Sequence, residues 1–273
     1  MNEDLIPKNK PLEALEQSLK QLKALDLSPE AQAVLENALH SLQDAKEEKS
    51  QFVSNVSHEL RIPMTSIMGY TDLLRQGAMG EVNANQLNFL NVIRENVGRM
   101  SKLITDLSDI YKIESGRLHL EPEPMSVFNA IQSGLELTKK TLNGHYSEVT
   151  VVVEEDLPMV EADPKRISQM VHYLLENAVL YSPGGQPVTV KALRQDETIH
   201  LMVIDKGIGI QLEDQPHMFS QFFRSEVEAV REHKGWGLSL CLVKSLAELG
   251  GGQVGYETEP EAGSTFWFTI PVR

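Results

Sequence analysis

Apolar residues recur in alternating steps of three and four along two long stretches in the first half of the chain. The first stretch carries Val56, Leu60, Pro63, Ile67, Tyr70 and Leu74, and the second carries Leu90, Ile93, Val97, Met100, Ile104, Leu107 and Tyr111. This spacing puts one apolar stripe on each of two amphipathic helices, as in coiled-coil-like bundles. Gly77 and Gly80 separate the stretches, and Asn83 or Asn85 can cap the second helix. The pattern predicts an antiparallel helical hairpin that pairs with a second copy, giving a four-helix bundle and a homodimer.

The segment before this hairpin also has helical periodicity. Leucines recur at helical spacing between residues 12 and 25, and a new helix is expected to begin with Ser28 as N-cap and Pro29 at its first position. Because Leu35, Leu39 and Leu42 keep the register of the hairpin stripe, we expect one long helix or two nearly collinear helices with a weak joint near 43–50. Residues 12–45 either support dimerisation or bind an upstream sensory partner.

The pattern changes after Ser115-Gly116 and a linker that contains Pro122 and Pro124. Helices are predicted at 127–143, 164–179 and 236–249, and strands at 149–153, 187–194, 198–205, 253–258 and 264–272. We therefore assign an α+β fold with three parts: an N-terminal helical segment (1–49), a helical-hairpin dimerisation domain (50–116) and an α/β sandwich domain (122–273).

Composition narrows the function classes. The net charge of -14 argues against a nucleic-acid binder, because a phosphate surface needs a positive counterpart. The single cysteine, Cys241, allows no intrachain disulfide and favours a reducing, cytoplasmic location. No signal peptide is evident, and no stretch has the roughly 18 apolar residues of a membrane span. We expect a cytoplasmic protein without a membrane segment.

His58 lies on the first hairpin helix but off its apolar stripe. It is two residues from both Val56 and Leu60, which turns it outward. Glu59 follows, and Pro63, which has no N–H, should kink the helix one turn later. A neutral imidazole nitrogen is a nucleophile, and a neighbouring carboxylate can fix its tautomer and accept its other proton. The residues alone allow either chemistry on the ring or an ordinary exposed histidine.

Four stretches of the second domain combine glycine with polar residues: Asn177-Ala178, Asp205 to Ile210, Gly235 to Leu240, and Gly263 to Phe266. A carboxylate at a strand end can accept a hydrogen bond from an aminopurine, and the glycines after it permit close backbone approach. Glycines at a helix N-terminus present N–H groups to phosphate. Taken singly, each stretch is also compatible with an ordinary turn or a hydrogen-bonded asparagine. The P-loop and Rossmann patterns are absent.

Together these motifs resemble the two-component sensor histidine kinases. The stretch around His58 is similar to their H-box. Asn177, Asp205–Ile210, Phe219–Arg224 and Gly235–Leu240 are similar to their N, G1, F and G2 boxes, in the family's order. The resemblance covers residues 50–273. It implies a dimerisation and phosphoacceptor domain, a catalytic ATP-binding domain of the gyrase and Hsp90 type, and a separate response-regulator receiver domain as partner.

The same resemblance implies a role for each matching residue. His58 is the expected phosphoacceptor and Glu59 its general base. Asn177 is expected to hold the Mg²⁺ that bridges the ATP phosphates, Tyr181 to pack on the nucleotide, and Asp205 to bind the adenine amino group. The other expected nucleotide-binding positions are Gly207, Gly209, Ile210, Arg224 (orienting the γ-phosphate), Gly235, Trp236, Gly237, Leu238, Ser239 and Thr265.

Four positions depart from the family pattern. Tyr173 stands where a second asparagine is usual, Leu180 where a lysine or arginine is frequent, and Ser239 where a glycine is usual. Ile62, four residues after His58, replaces a threonine or asparagine associated with dephosphorylation of the partner. These changes leave two interpretations: an active histidine kinase, or a degenerate pseudokinase that acts as a nucleotide-binding dimeric scaffold. A third is a dedicated phosphotransfer protein.

Overall fold

The computed structural model describes residues 18–19, 21–23, 28–142 and 148–272. The chain divides into two compact units, the first ending at Leu118 and the second beginning at His119. Most of the leucine-spaced helix expected at 12–25 lies outside the described residues. None of the described helices combines the length and the apolar character needed to cross a bilayer.

The first long helix, α1, spans Pro29–Arg75 without interruption. The Ser28 side chain accepts a hydrogen bond from the Ala31 N–H at 3.3 Å, so the predicted N-cap is confirmed. Of the two arrangements expected for this region, the single continuous helix is the one formed. The helix continues through Pro63, whose missing N–H deprives the Glu59 carbonyl of its usual partner.

The second long helix, α2, spans Ala84–Glu114 and packs antiparallel against α1. Asn83 is the N-cap, and it forms a reciprocal capping box with Gln86 in which both hydrogen bonds are 2.9 Å. Ser115 caps the C-terminus, and Gly116 follows with a φ of 70°. The predicted hairpin is confirmed.

The hairpin contact differs from the predicted apolar stripe on α1, whereas on α2 the buried residues Val97 and Ile104 belong to the predicted stripe. The α1 residues buried against α2 are Ser57, Met64 and Thr71, seven residues apart, and Met64 packs with Val97 and Ile104. The predicted stripe of α1 lies on a neighbouring face and stays exposed in the single chain, as at Val56, Leu60, Ile67, Tyr70 and Leu74. Helix α1 therefore has two stripes: one packs against α2, and the other, apolar one is exposed in the single chain.

The second unit contains a five-stranded sheet in the order β2-β4-β5-β7-β6. The strands are β2 (Val149–Val153), β4 (Val188–Gln195), β5 (Thr198–Ile204), β6 (Val254–Glu259) and β7 (Gly263–Pro271). Only the β2–β4 pair is parallel. All five agree with the predicted strands to within a residue or two. Two short strands were not predicted, β1 (Glu123–Met125) and β3 (Val160–Ala162), which pair with each other.

Two helices pack on this sheet, α4 (Pro164–Leu180) and α6 (Ser239–Leu249), and α3 (Val127–Leu142) packs against α4. Asp163 caps α4 by accepting from the N–H groups of Lys165 and Arg166. Gly134 lets α3 approach α4 closely, since a Cβ there would lie 2.6 Å from Val171. The core between the layers includes Ile131, Leu175, Leu201, Leu242 and Phe268, all fully buried. This is the predicted α/β sandwich.

Helix α6 begins three residues later than the sequence predicts. The helix was predicted to begin at Trp236, but it begins at Ser239. Gly237 has a φ of 67°, in the left-handed region, so the chain cannot be helical there. The glycine-rich stretch is therefore a turn before the helix, and a single short helix, α5 (Glu228–Arg231), precedes it.

Candidate functional site

His58 is exposed on α1 beside a carboxylate. Its side chain is 69% accessible, and its Nδ1 lies 3.4 Å from Glu59 Oε1. A proton on Nδ1 can donate to Glu59, which leaves Nε2 as the unprotonated nitrogen. The predicted outward orientation of the histidine is confirmed. Ile62 lies one helical turn further along and is also exposed, so an apolar side chain borders His58 on the same face.

Asp205 is the centre of the polar site in the second unit. It follows β5 and is buried, and its Oδ1 accepts hydrogen bonds from the N–H groups of Gly207 (2.8 Å) and Ser264 (3.1 Å). Burial raises the pKa of Asp205, and the two backbone hydrogen bonds oppose that rise. Within the described residues Oδ2 has no hydrogen-bond donor, so this oxygen can accept from a ligand amino group.

The backbone around Asp205 is too close-packed for side chains larger than hydrogen at two positions. A Cβ at Gly207 would lie 2.3 Å from the Tyr181 carbonyl oxygen, and one at Gly209 would lie 2.0 Å from the Glu259 carbonyl oxygen. Gly209 also has a φ of 63°. The predicted need for glycine in this stretch therefore has a steric cause. Ile210 follows and is partly buried.

Tyr181 connects this turn to the end of α4. Its carbonyl accepts from the Ile208 N–H at 3.1 Å, and its own N–H donates to the Asn177 carbonyl at 3.0 Å. Its ring makes an edge contact with His233, 5.7 Å between centroids. Burial raises the pKa of Tyr181, against the opposing charge of Arg224. Tyr181 thus contacts both the Asp205 turn and the loop after Arg224.

Asn177 is partly buried on α4, one turn before Tyr181. Its side-chain amide makes no hydrogen bond to the described part of the protein, so its oxygen is available to a cation. No cluster of three or more His, Cys, Asp or Glu side chains suited to a metal occurs among the described residues. The Asn177 amide oxygen is of the ligand type that a hard cation accepts, and it is a single protein ligand.

Arg224 organises the loop between α5 and α6. Its guanidinium donates to the carbonyls of Val230 (2.6 Å), His233 and Gly235. Gly237 is close to the preceding turn, because its carbonyl accepts from the Phe222 N–H at 2.9 Å and a Cβ there would lie 2.3 Å from the Phe223 carbonyl oxygen. The structure thus brings the F-box-like and G2-box-like stretches together.

The remaining predicted site residues occupy different environments. Trp236 is exposed, Leu238 is buried as the residue before α6, and Ser239 is partly buried at the first position of that helix. Thr265 lies on β7 opposite Ile204, the residue before Asp205. Among the described residues, no side-chain hydrogen bond links Trp236 or Thr265 to the Asp205 turn.

Two neighbouring residues of α4 face the interior. His172 is buried, and its Nδ1 lies 2.9 Å from the Thr138 hydroxyl, which is the arrangement of a structural histidine. Tyr173 is buried, and its hydroxyl accepts from the Gln169 side chain at 3.3 Å. Tyr173 therefore fills core space at the position where the family usually has an amide.

Sequence reasoning missed two contributors to the site. Ser264 donates its N–H to Asp205, and its hydroxyl lies 2.8 Å from that of Thr258. Ser182 follows Tyr181 and is buried. The sequence predicts a turn at Gly263-Ser264, but the type of side chain does not reveal that the Ser264 backbone N–H is a hydrogen-bond donor to Asp205. The only signal for Ser182 is a small polar residue between an amphipathic helix and Pro-Gly-Gly.

Two family models match the chain in the regions just described. Residues 48–116 match the His Kinase A (phospho-acceptor) domain. Residues 162–273 match the histidine kinase-, DNA gyrase B- and HSP90-like ATPase domain. Both domains of a sensor histidine kinase are therefore present in family order, and the chain belongs to the two-component sensor histidine kinases.

Individual relatives agree with this membership. The chain is 34% identical to the sensor protein DivL of Caulobacter vibrioides over 88% of its own length and 30% of the relative. It is 32% identical to the signal transduction histidine-protein kinase BarA of Escherichia coli over 86% of its length and 26% of the relative. The chain thus spans less than a third of the length of these two relatives.

Solved structures share the fold. Full-length ShkA, crystallised with AMPPNP, superposes with a TM-score of 0.68 at 24% identity, over 81% of this chain and 45% of that one. The Acinetobacter baumannii histidine kinase AdeS superposes with a TM-score of 0.56 at 23% identity, over 79% of this chain and 98% of that one. At these identities the likeness concerns the fold alone.

Proposed function

We propose that the chain is an ATP-dependent protein histidine kinase that phosphorylates itself on His58 and passes the phosphoryl group to an aspartate of a separate response regulator. The observation that carries this proposal is the exposure of His58 next to Glu59. A structural histidine would be expected to resemble His172, which is buried and bonded to Thr138. His58 instead presents its ring to solvent while Glu59 lies beside Nδ1.

ATP is the proposed phosphoryl donor because the Asp205 pocket suits adenine. A carboxylate with one oxygen fixed by two backbone N–H groups presents its second oxygen in a defined direction, which suits a single amino group. Asn177 would hold Mg²⁺, and the ion would supply neutralisation of phosphate charge. Tyr181 and the loop held by Arg224 would enclose the nucleotide.

In the proposed phosphoryl transfer, His58 is the nucleophile, Glu59 the proton acceptor and ADP the leaving group. The Nε2 lone pair of His58 forms a bond to the γ-phosphorus, while the bond from that phosphorus to the β–γ bridging oxygen breaks and ADP departs with the electron pair. Glu59 then accepts the Nδ1 proton, which removes the positive charge that would build on the ring. In the second step an aspartate carboxylate of the receiver domain attacks the phosphorus, the Nε2–P bond breaks with its electron pair left on the ring, and Glu59 returns the proton to Nδ1, so that His58 leaves as neutral imidazole.

The proposed working unit is a homodimer. The stripe at Val56, Leu60, Ile67, Tyr70 and Leu74 is continuous, apolar and exposed in the single chain. Ile93 and Met100 on α2 extend the same uncovered surface. A second copy of the hairpin would cover this stripe and complete a four-helix bundle. Residues 12–45 remain candidates for contact with an upstream sensory partner.

One observation favours a second function, a pseudokinase that binds nucleotide and signals as a dimeric scaffold. Tyr173 is buried in the core, and Leu180 is an apolar residue at the end of α4. The two side chains therefore add neither an amide nor a cation to the phosphate side of the pocket. Weak or absent phosphoryl transfer despite nucleotide binding would follow.

Incubation with γ-labelled ATP and Mg²⁺ separates the two functions. The wild type should acquire acid-labile label and His58→Gln should acquire none. His40→Gln is the matched control, since His40 is an exposed histidine on the same helix with its own carboxylate, Asp44, at 2.8 Å; it should label like the wild type. An unlabelled wild type that binds ADP by calorimetry would reject the kinase and support the scaffold.

A further inference from the structure

The hydroxyl of Ser182 is buried without a hydrogen-bond partner. Among the buried side-chain oxygen and nitrogen atoms of the described residues, Ser182 Oγ is the one recorded in this condition. The residue is 4% exposed. Leaving a hydroxyl unpaired inside a protein destabilises the fold, because the group loses its hydrogen bonds to water and gains none in return. Buried hydroxyls in proteins almost always have a partner, so an unpaired one suggests a partner that binds from outside the chain.

The chain holds Ser182 against the Asp205 turn. The carbonyl of the preceding residue, Tyr181, accepts the Ile208 N–H at 3.1 Å and lies so close to Gly207 that a Cβ there would be 2.3 Å from it. The peptide that links Tyr181 to Ser182 therefore packs directly on the turn. Asp205, Gly207 and Ser182 thus belong to one small region, fixed by backbone contacts.

Other buried serines of this unit do have partners. Ser168, on the same helix as Tyr173 and Asn177, donates its hydroxyl to the Pro164 carbonyl at 2.7 Å. Ser264 shares a hydrogen bond with Thr258. The unpaired state of Ser182 is thus not a general property of serines near this site, and it occurs in the residue that directly follows the Tyr181 carbonyl packed on the Asp205 turn.

We propose that the Ser182 hydroxyl is a nucleotide-positioning group that donates to a ring nitrogen of adenine beside its amino group, directly or through one ordered water. This inference rests on the proposed adenine site at Asp205. The amino group of adenine is flanked by two acceptor nitrogens, N1 and N7, so a donor next to Asp205 has an acceptor in reach whichever edge is presented. The hydroxyl gains its hydrogen bond only when the nucleotide is bound.

Ser182→Ala should stabilise the nucleotide-free protein and weaken its binding of nucleotide. Without nucleotide, removing an unpaired hydroxyl should raise the melting temperature, by about 2–4 °C. With nucleotide, losing one hydrogen bond should weaken ADP binding about 3- to 10-fold. The matched control is Ser168→Ala, which removes a hydrogen-bonded hydroxyl from the preceding helix, α4. Its melting temperature should not rise, and its ADP affinity should equal that of the wild type.

Two ADP analogues, measured on the wild type and on Ser182→Ala, identify the adenine nitrogen that accepts the hydrogen bond. Replacing N1 or N7 by CH, in 1-deaza-ADP and 7-deaza-ADP, removes one acceptor each. One of them should bind the wild type about 3- to 10-fold more weakly than ADP, and that loss should vanish in Ser182→Ala. Unchanged ADP affinity in Ser182→Ala, a lower melting temperature of the nucleotide-free variant, or no loss with either analogue would overturn the proposal. A wild type that does not bind ADP would instead overturn the proposed function itself.

Discussion

Asp205→Asn tests the adenine site by changing only the hydrogen-bonding character of one buried side chain. The amide oxygen of asparagine can still accept from the Gly207 and Ser264 N–H groups, which now bond to Oδ1 at 2.8 and 3.1 Å. The turn should therefore keep its shape. The atom that replaces Oδ2, however, becomes an NH₂ group, which faces the adenine amino group as donor against donor.

The expected loss of affinity combines two terms. A hydrogen bond to a charged acceptor contributes about 1.5–3 kcal/mol, and an amino group left buried without an acceptor costs about 1–3 kcal/mol. A combined loss of about 3 kcal/mol corresponds to roughly 100-fold in Kd for ADP. Discrimination against guanine nucleotides should also fall, because the guanine carbonyl can accept from the new amide.

The stability of the nucleotide-free protein provides the internal control. Burial raises the pKa of Asp205 above that of an exposed aspartate. The folded state then holds its proton more tightly than the unfolded state, so stability falls as pH rises from the unfolded pKa through the folded one, and the ionised group destabilises the fold at pH 7. Asp205→Asn removes that charge and should not lower the melting temperature.

Calorimetric titration of ADP at pH 7, with thermal unfolding of each free protein, measures both effects. Wild-type affinity in Asp205→Asn would refute the adenine role and leave Asp205 as a turn residue. A large drop in the melting temperature of the free variant would show that the carboxylate serves the fold rather than the ligand. In the wild type, ADP binding should weaken as acid protonates Asp205, and this should begin at a higher pH than for an exposed aspartate.

Further expectations concern assembly, partner dephosphorylation and the glycine turn. Ile67→Glu places a charge on the exposed stripe and should give a folded monomer in sedimentation. The control Glu81→Gln, at an exposed polar position, should sediment as the wild type. A wild type that is monomeric at micromolar concentration would contradict the four-helix bundle. Ile62→Thr supplies a hydroxyl near His58 that can orient water, so it should speed decay of the phosphorylated response regulator with little change in autophosphorylation. If the wild type already accelerates this decay severalfold, Ile62 does not prevent dephosphorylation. Gly209→Ala should lower the melting temperature and ADP affinity together, because its Cβ would lie 2.0 Å from the Glu259 carbonyl oxygen, and unchanged values for both would show that the turn can relax.

Much of the fold was predictable because its elements carry local signals. Ser28 with Pro29, Asn83 with Gln86, and Asp163 with Pro164 each place a side-chain acceptor at the first turn of a helix, and all three cap helices in the structure. The β-branched run at 149–153 gave its strand without error. Strands β1 and β3 have three residues each, too few to show any alternation.

The hairpin shows what periodicity cannot resolve. The stripe at 56–74 was found because it is apolar, yet the residues of α1 that face α2 include Ser57 and Thr71. Serine and threonine can be buried in a helix, since their hydroxyls bond to carbonyls of the preceding turn; Thr71 donates to the Ile67 carbonyl at 2.7 Å. A contact face built partly from such residues has no apolar signature, so on α1 the sequence revealed the uncovered stripe and hid the covered one, whereas on α2 the predicted stripe included the buried Val97 and Ile104.

The candidate site also contains residues that could be predicted from the sequence and residues that could not. Asp205, Gly207 and Gly209 were predictable, because their spacing reflects a turn whose geometry only those residues satisfy. Ser264 and Ser182 were not, because their positions depend on backbone contacts between segments far apart in the chain. The start of α6 was misplaced for a related reason: the left-handed φ of Gly237 follows from its packing against Phe223, which is remote from any pattern in the helix.

Arg224 shows how a residue can serve both the fold and a ligand. In the structure its guanidinium donates to three loop carbonyls, one through Nη1 and two through Nη2. A guanidinium has five N–H groups, so these bonds leave one N–H on Nη1 and the Nε–H. Arg224 can therefore hold the loop closed and still present two donors and a positive charge to a phosphate oxygen. The structural role seen here and the proposed role at the γ-phosphate are compatible, and lysine, with three donors on a single nitrogen, could not combine them in this geometry.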